Sequence, residues 1–261
     1  SIVLSKFIGF NGIALGTVIA QYCGLLFCIV VAALKYRRLL SSFPLKELKH
    51  AFTRDELLPY LKMNGNLFVR SLCFMVIYLG YTLIAARLGD QLLACSSVMM
   101  QLLMLFSYFT DGFAYAGEAL TGRFIGAEDR PMVRKTVRYV FVWSMAMATL
   151  FIGLHYIGGV PVLRLLTDDA NVVETCKSYL WWLLIMPPLG CAAFTWDGLF
   201  LGAARTRPIR NSMMAAMVAF LVLWFGGELV FGPSMDLLLA AYFAHLAART
   251  IWLTACRKQI V

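Results

Sequence analysis

Seven stretches of this chain stay apolar for about 20 residues or more, the length of helix that crosses a bilayer. They run Gly12–Leu34, Asn66–Ala86, Leu92–Ala116, Val137–Gly158, Val172–Trp196, Ile209–Phe231 and Met235–Ala255. An aqueous fold of this size would need polar surface to cover its cores. This chain lacks it: of 261 residues 61% are hydrophobic and 14% charged, against about 25% charged in soluble domains. Lipid is therefore the expected solvent, and the expected fold class is an all-α integral membrane protein with seven transmembrane helices.

The cations are distributed accordingly. If the seven spans alternate, one side holds Lys35, Arg37, Arg38, Lys46, Lys49, Arg54 and Lys62, then Arg123, Arg130, Arg134, Lys135 and Arg138. The same side holds Arg205, Arg207, Arg210 and the tail residues Arg249, Arg257 and Lys258. The other side holds Lys6, Arg87, Arg164 and Lys177. Eighteen against four is a positive-inside bias. It makes the basic side cytoplasmic, with the C-terminus inside, and a bacterial inner membrane is the expected location. The net charge of +9 thus belongs to helix ends facing the inner surface, and nucleic acid is not an expected partner.

Nothing in the chain points to an enzyme. Cysteines 23, 28, 73, 95, 176, 191 and 256 contain no CxxC spacing and read as small buried hydrophobes. His50, His155 and His245 are scattered, and no Walker loop, GxSxG or HExxH occurs. No cofactor and no metal are expected. The chain opens on Ser1 without the basic flank of a signal peptide, which reads as a cut through a longer protein. Between the first span and the other six lies a charged connector, residues 35–63. Its "PLKELKHAFTRDELLPYLK" reads as a helix on the inner membrane surface or a plain connector, with Thr53 and Glu56 forming a capping box.

One punctuation mark is written twice. "GRFIGAEDRPMVR" starts at Gly122 and "GLFLGAARTRPIR" at Gly198, each where an apolar run ends. The glycines allow helices to approach closely or to end sharply. Asp-Gly also recurs, as Asp111-Gly112 and Asp197-Gly198 in the third and fifth spans. Together they hint at internal duplication, which is common in transporter folds.

These residues resemble a family. "GEALTGRFIGAEDRPMVRKTVR" is similar to a loop of the multidrug and toxic compound extrusion (MATE) transporters, while "SYFTDGFAYAGEALTGRFIGA" and "FTWDGLFLGAARTRPIRNSMM" resemble its DinF-like branch. "FIGFNGIALGTVIAQYCGLL" resembles the closing helix of the family's N-terminal lobe. The resemblance implies twelve helices in two six-helix lobes and export by alternating access, driven by proton or sodium entry. Residues 1–34 would then be the last helix of a truncated N-terminal lobe and residues 64–261 a six-helix C-terminal lobe. Small-molecule substrates, the lipid bilayer and the missing N-terminal lobe would be its partners. A flippase for lipid-linked saccharides within the same superfamily, or a non-transporting membrane scaffold, are the rival readings.

Three charges inside spans carry the functional reading, because a charge deep in a membrane usually serves a pathway or has a partner. Arg70, Asp111 and Asp197 are expected at comparable depth in the inner half of the lobe, with Asp111 about 16 Å from Gly122 and Asp197 about 12 Å from Arg205 at 1.5 Å per residue. They would either bind substrate and coupling ion or form a static pair locking the lobe. Two acids to one base favour cation or proton chemistry over a flippase. Asn64 and Asn66 read as caps of the second span, with membership of this network as the alternative. Tyr78, Tyr81, Met104 and Tyr108, with Met99, Met100 and Trp196, are candidates to line a pocket for planar or cationic compounds.

Overall fold

A computed structural model describes residues 10–37 and 53–260. The chain divides into two units, residues 1–60 and 61–261. The helices are α1 (Phe10–Lys35), α2 (Arg54–Arg87), α3 (Asp90–Gly126), α4 (Arg130–Leu166), α5 (Ala170–Lys177), α6 (Trp182–Gly202), α7 (Thr206–Phe231) and α8 (Met235–Ala255), with a 3₁₀ turn at Cys256–Gln259. No strand occurs among the described residues. All of these helices except the eight-residue α5 are long and apolar enough to cross a membrane, seven in number.

Four of the spans differ from the sequence reading. The second is longer: α2 starts directly after Thr53, where the Leu57 N–H bonds the Thr53 carbonyl at 3.0 Å, and it continues unbroken to Arg87. Asn64 and Asn66 therefore lie within a helix and do not cap one. The surface helix expected from Ser41 falls, up to residue 52, outside the described residues. The fifth is shorter: turns at residues 178–181 separate α5 from α6, so Val172–Lys177 is not part of the span. The third and fourth are 37 residues each, about 55 Å at 1.5 Å per residue. That exceeds a hydrocarbon core of roughly 30 Å, so their ends reach the headgroups or beyond.

The helix ends are set by local chemistry. Asp129 caps α4 by accepting from the Met132 N–H at 3.1 Å, with Pro131 in the first turn. Asp169 caps α5 from the Asn171 N–H, and Ser234 caps α8 from the Leu237 N–H. The repeated punctuation closes α3 and α6 identically. The Glu128 N–H bonds Ile125 and the Asp129 N–H bonds Phe124; in the second copy the Ala204 N–H bonds Leu201 and the Arg205 N–H bonds Phe200. This is the Schellman pattern, and it requires a left-handed residue. Glu128 (φ 57°) and Ala204 (φ 54°) supply it, and they are the only non-glycine residues with positive φ among those described.

The same glycines bring α3 and α6 together. A Cβ on Gly198 would sit 2.3 Å from the Ala114 carbonyl oxygen, and one on Gly202 would sit 2.2 Å from that of Glu118. Gly122 faces the Gly202 carbonyl in turn, at 3.1 Å from an added Cβ. Small residues at four-residue spacing let backbones touch where lipid offers no hydrophobic drive between helices. Gly126 has open space around it, so only part of the repeat is used for packing.

The second unit is apolar on both sides of its wall. Its larger interior cluster includes Ile77, Phe106, Leu163, Met186 and Phe220. A smaller one gathers Val133, Trp196, Leu199, Ile209 and Leu253 toward the Schellman loops. Outside, Ile157 and Leu229 are 86% and 89% exposed, a surface suited to lipid and not to water. Along α6 and α8 the two clusters are separated by one layer: Asp197 follows Phe194, and Arg249 stands between Leu246 and Leu253.

Candidate functional site

That layer holds the charges. Asp197 is 6% exposed, and its Oδ2 accepts from two guanidiniums. Arg70 on α2 donates at 2.7 Å and Arg249 on α8 at 2.5 Å. One acidic oxygen thus joins three helices. The Arg249 side chain is 2% exposed and that of Arg70 31%, so one arm of the bridge is sealed and the other reaches the wall. The Arg249 guanidinium also lies over the Phe194 ring, 5.7 Å from its centre.

Arg249 is the residue the sequence reading misplaced. Charge counting assigns it to the tail, whereas it lies inside α8, and removing it leaves seventeen cations on the basic side against four. The signal was available: its own boundary, Met235–Ala255, already enclosed position 249. The charge balance changes with it. Two acids to one base become two to two, so the formal −1 expected for the cluster becomes zero, and the argument that this count disfavours a flippase falls away.

Asp111 is placed differently. It is half-buried on α3 and receives one long hydrogen bond, from Ser107 at 3.5 Å. It is close enough to Asp197, Arg70 and Arg249 to interact electrostatically with all three, but no arginine hydrogen-bonds it among the described residues. The structure thus bonds Arg70 to Asp197 and leaves Asp111 beside them without a hydrogen bond to either among the described residues. Around the pair, Asp197 Oδ1, Arg70 Nε and Arg249 Nε are buried without a hydrogen-bond partner among the described residues. The cluster has donor and acceptor capacity in hand.

One turn before Arg70 on the same face of α2, Asn66 forms a second polar joint. Its amide donates to Thr206 Oγ1 at 3.0 Å, and its carbonyl oxygen accepts from Arg210 at 2.9 Å. Asn66 thus belongs to the network's flank. These polar side chains join α2 to α6, α7 and α8 toward the basic side, and buried Cys73, Ile77, Tyr81, Ile84 and Ala85 pack α2 into the larger apolar cluster.

The aromatic set does not assemble. Tyr81 is buried with its hydroxyl donating to the Ser96 carbonyl at 3.4 Å and its ring edge-on to Tyr242. With Met99 and Met100 it borders a gap of only about 10 Å³, which is core and not a pocket. Tyr78 and Tyr108 are 40% and 71% exposed, and Met104 lies half-buried. Trp196 is buried and donates to Thr254 at 2.9 Å. A cavity of about 1070 Å³ lies between the two Schellman loops and Lys258–Ile260, and none of the four charges lines it.

A helical membrane bundle with four charged side chains inside it and duplicated helix ends has the features common in transporter folds. The comparisons identify which kind. The MatE family profile matches residues 67–225, more than half of the chain, and the chain belongs to the MATE family. It is 32% identical over 220 residues to the DNA damage-inducible protein F of Escherichia coli (strain K12), covering 84% of this chain and 47% of that protein. It is 25% identical over 196 residues to the chloroplastic Protein DETOXIFICATION 44 of Arabidopsis thaliana, covering 75% of this chain and 36% of that one. The chain thus spans about half the length or less of these curated relatives. A crystal structure of MATE in the bent conformation matches with a TM-score of 0.66 at 15% identity, over 75% of this chain and 44% of that one. An inward-facing multidrug resistance MATE family transporter of the MOP superfamily matches at 0.60 and 16% identity, over 72% and 45%. At these identities the structures speak for the fold.

Proposed function

We propose that this chain forms one lobe of a multidrug exporter that moves organic cationic or aromatic compounds by proton- or sodium-coupled antiport. The observation that carries it is the contrast between two intramembrane acids. Asp197 is shared by two arginines, whereas Asp111 keeps a half-buried carboxylate with one long hydrogen bond. With all four groups charged the cluster is neutral. A proton or sodium ion on Asp111 makes it +1, and in a low-dielectric interior that change is felt strongly by any cation nearby. Ion and cationic substrate would then displace each other, a coupling that must act in both directions. The names of the relatives, DETOXIFICATION proteins among them, favour export of foreign compounds. The lysine and arginine excess supports a C-terminus in the cytoplasm and, for a bacterial chain, the inner membrane.

Alternating access needs a second bundle moving against this one. The exposed Tyr78 and Tyr108 are suited to line a substrate path completed by an N-terminal lobe. The test is ion-driven efflux of ethidium in everted vesicles carrying this lobe joined to such a partner. Dye movement should follow an imposed proton or sodium gradient and stop when the gradient is collapsed. Dye movement that ignores both gradients would refute the antiport. Movement of a lipid-linked saccharide in place of dye would favour the flippase.

A further inference from the structure

We propose that Cys95 and Cys176 form a disulfide that ties α5 to the outer end of α3. The two sulfurs come from elements 81 positions apart and lie 2.8 Å from each other. A bond of about 2.05 Å needs a shift of under about 1 Å. Both residues are 0% exposed, so no other thiol competes for either once the lobe has folded. The register between the two helices is fixed independently. Gln91 on α3 donates to Thr175 Oγ1 at 2.7 Å and to the Asn171 carbonyl at 3.3 Å, both on α5. The sulfurs therefore meet in a contact that neighbouring side chains already enforce.

The compartment follows from sidedness, and here the inference rests on the orientation proposed above. Cys95 sits near the N-terminal end of α3, and α5 follows α4 across the membrane, so both face away from the Schellman loops and the basic tail. That side is extracytoplasmic under the positive-inside rule, where disulfides form and persist. The oxidant is the active disulfide of an extracytoplasmic thiol–disulfide oxidoreductase. One cysteine thiolate attacks it to give a mixed disulfide, and the other thiolate displaces the oxidant as a dithiol. Two protons leave the cysteines and two electrons go to the oxidant. The exchange takes place while the lobe is folding, before the pair is sealed. Closing so long a ring restricts the unfolded chain, and α5 then moves with α3 as one body.

Cells expressing the full chain would be quenched in acid, denatured and alkylated, then reduced and alkylated with an isotopically distinct reagent. The expected result is the second label on Cys95 and Cys176 and the first label on the remaining five of the seven cysteines. First label on Cys95 and Cys176 overturns the disulfide. Orientation is read separately, with Asp168→Cys and a membrane-impermeant maleimide on intact cells. Labelling of that variant from outside, with Cys95 and Cys176 reduced, removes the disulfide and leaves the orientation standing. Labelling only after permeabilisation removes both. In purified protein, dithiothreitol should lower the melting temperature by about 5 °C or more and leave Cys176→Ser unchanged. A wild-type midpoint indifferent to reductant also overturns the proposal.

Discussion

Asp111→Asn and Asp197→Asn should fail in opposite ways. In Asp197→Asn the acceptor shared by two guanidiniums becomes a neutral amide. Arg70, with 31% of its side chain exposed, can turn toward the wall and recover solvation, but Arg249, at 2%, cannot. Breaking a buried pair by removing one partner costs about 3–5 kcal/mol, because the other charge is left without compensation. For a lobe of this size each kcal/mol moves the midpoint by roughly 2–4 °C. The expected fall is therefore on the order of 6–20 °C, with less folded protein in the membrane.

Asp111→Asn removes only the long Ser107 bond and a half-buried charge. Its stability cost should be under about 1 kcal/mol, or a few degrees. It also fixes the cluster at +1, the state that a bound proton would produce, so the exporter should be trapped on one side of its cycle. The assay pairs thermal unfolding in detergent, followed by the fluorescence of the monodisperse peak, with vesicle efflux normalised to folded protein. Asp197→Asn melting within about 2 °C of the wild type would refute the sealed-pair argument. Asp111→Asn with wild-type efflux would refute its role in coupling, since no other described acid touches the cluster.

Three further outcomes follow from the geometry. Arg249→Met should destabilise less than Asp197→Asn, because Asp197 keeps Arg70, and adding Arg249→Met to Asp197→Asn should restore part of the lost midpoint in a double-mutant cycle. Gly202→Ala should prevent stable accumulation of the lobe, because its methyl group would sit 2.2 Å from a backbone oxygen of α3, whereas Gly126→Ala, with open space around it, should be tolerated; quantitative membrane expression separates them. Ala204→Gly should raise the melting midpoint by a few degrees, since a left-handed alanine costs about 1–2 kcal/mol that glycine avoids.

Most of the fold was readable because lipid simplifies the problem. Apolar length alone marks a span, and cations alone mark its cytoplasmic end, so seven helices and a sidedness followed from two one-dimensional signals. The errors came where those signals end. The α2 helix extends through Arg54–Met63, because a helix in the headgroup region needs no apolar run to continue. The turn at residues 178–181 separates α5, which carries Glu174 and Lys177, from the far more apolar α6, a contrast that a reading by overall span length averages away. The repeated glycines were visible, but their partners on α3 were not, since helix approach is a property of two sequences at once.

The site shows the same limit more sharply. A charge count assigns each cation to a side and has no category for one that stays inside. It assigns Arg249 to the tail because most arginines near helix ends belong to the surface. Its position within α8, one turn beyond His245 and one turn before Leu253 on a buried face, was periodic information that the count discarded. That single reassignment changes the formal count from two acids and one base to two of each, with one acid bonded to two guanidiniums through a single oxygen and the other bonded to none among the described residues. Two acids at matching depth look interchangeable in a sequence. The number of guanidiniums each one meets separates their roles, and that number depends on which helices pack beside them.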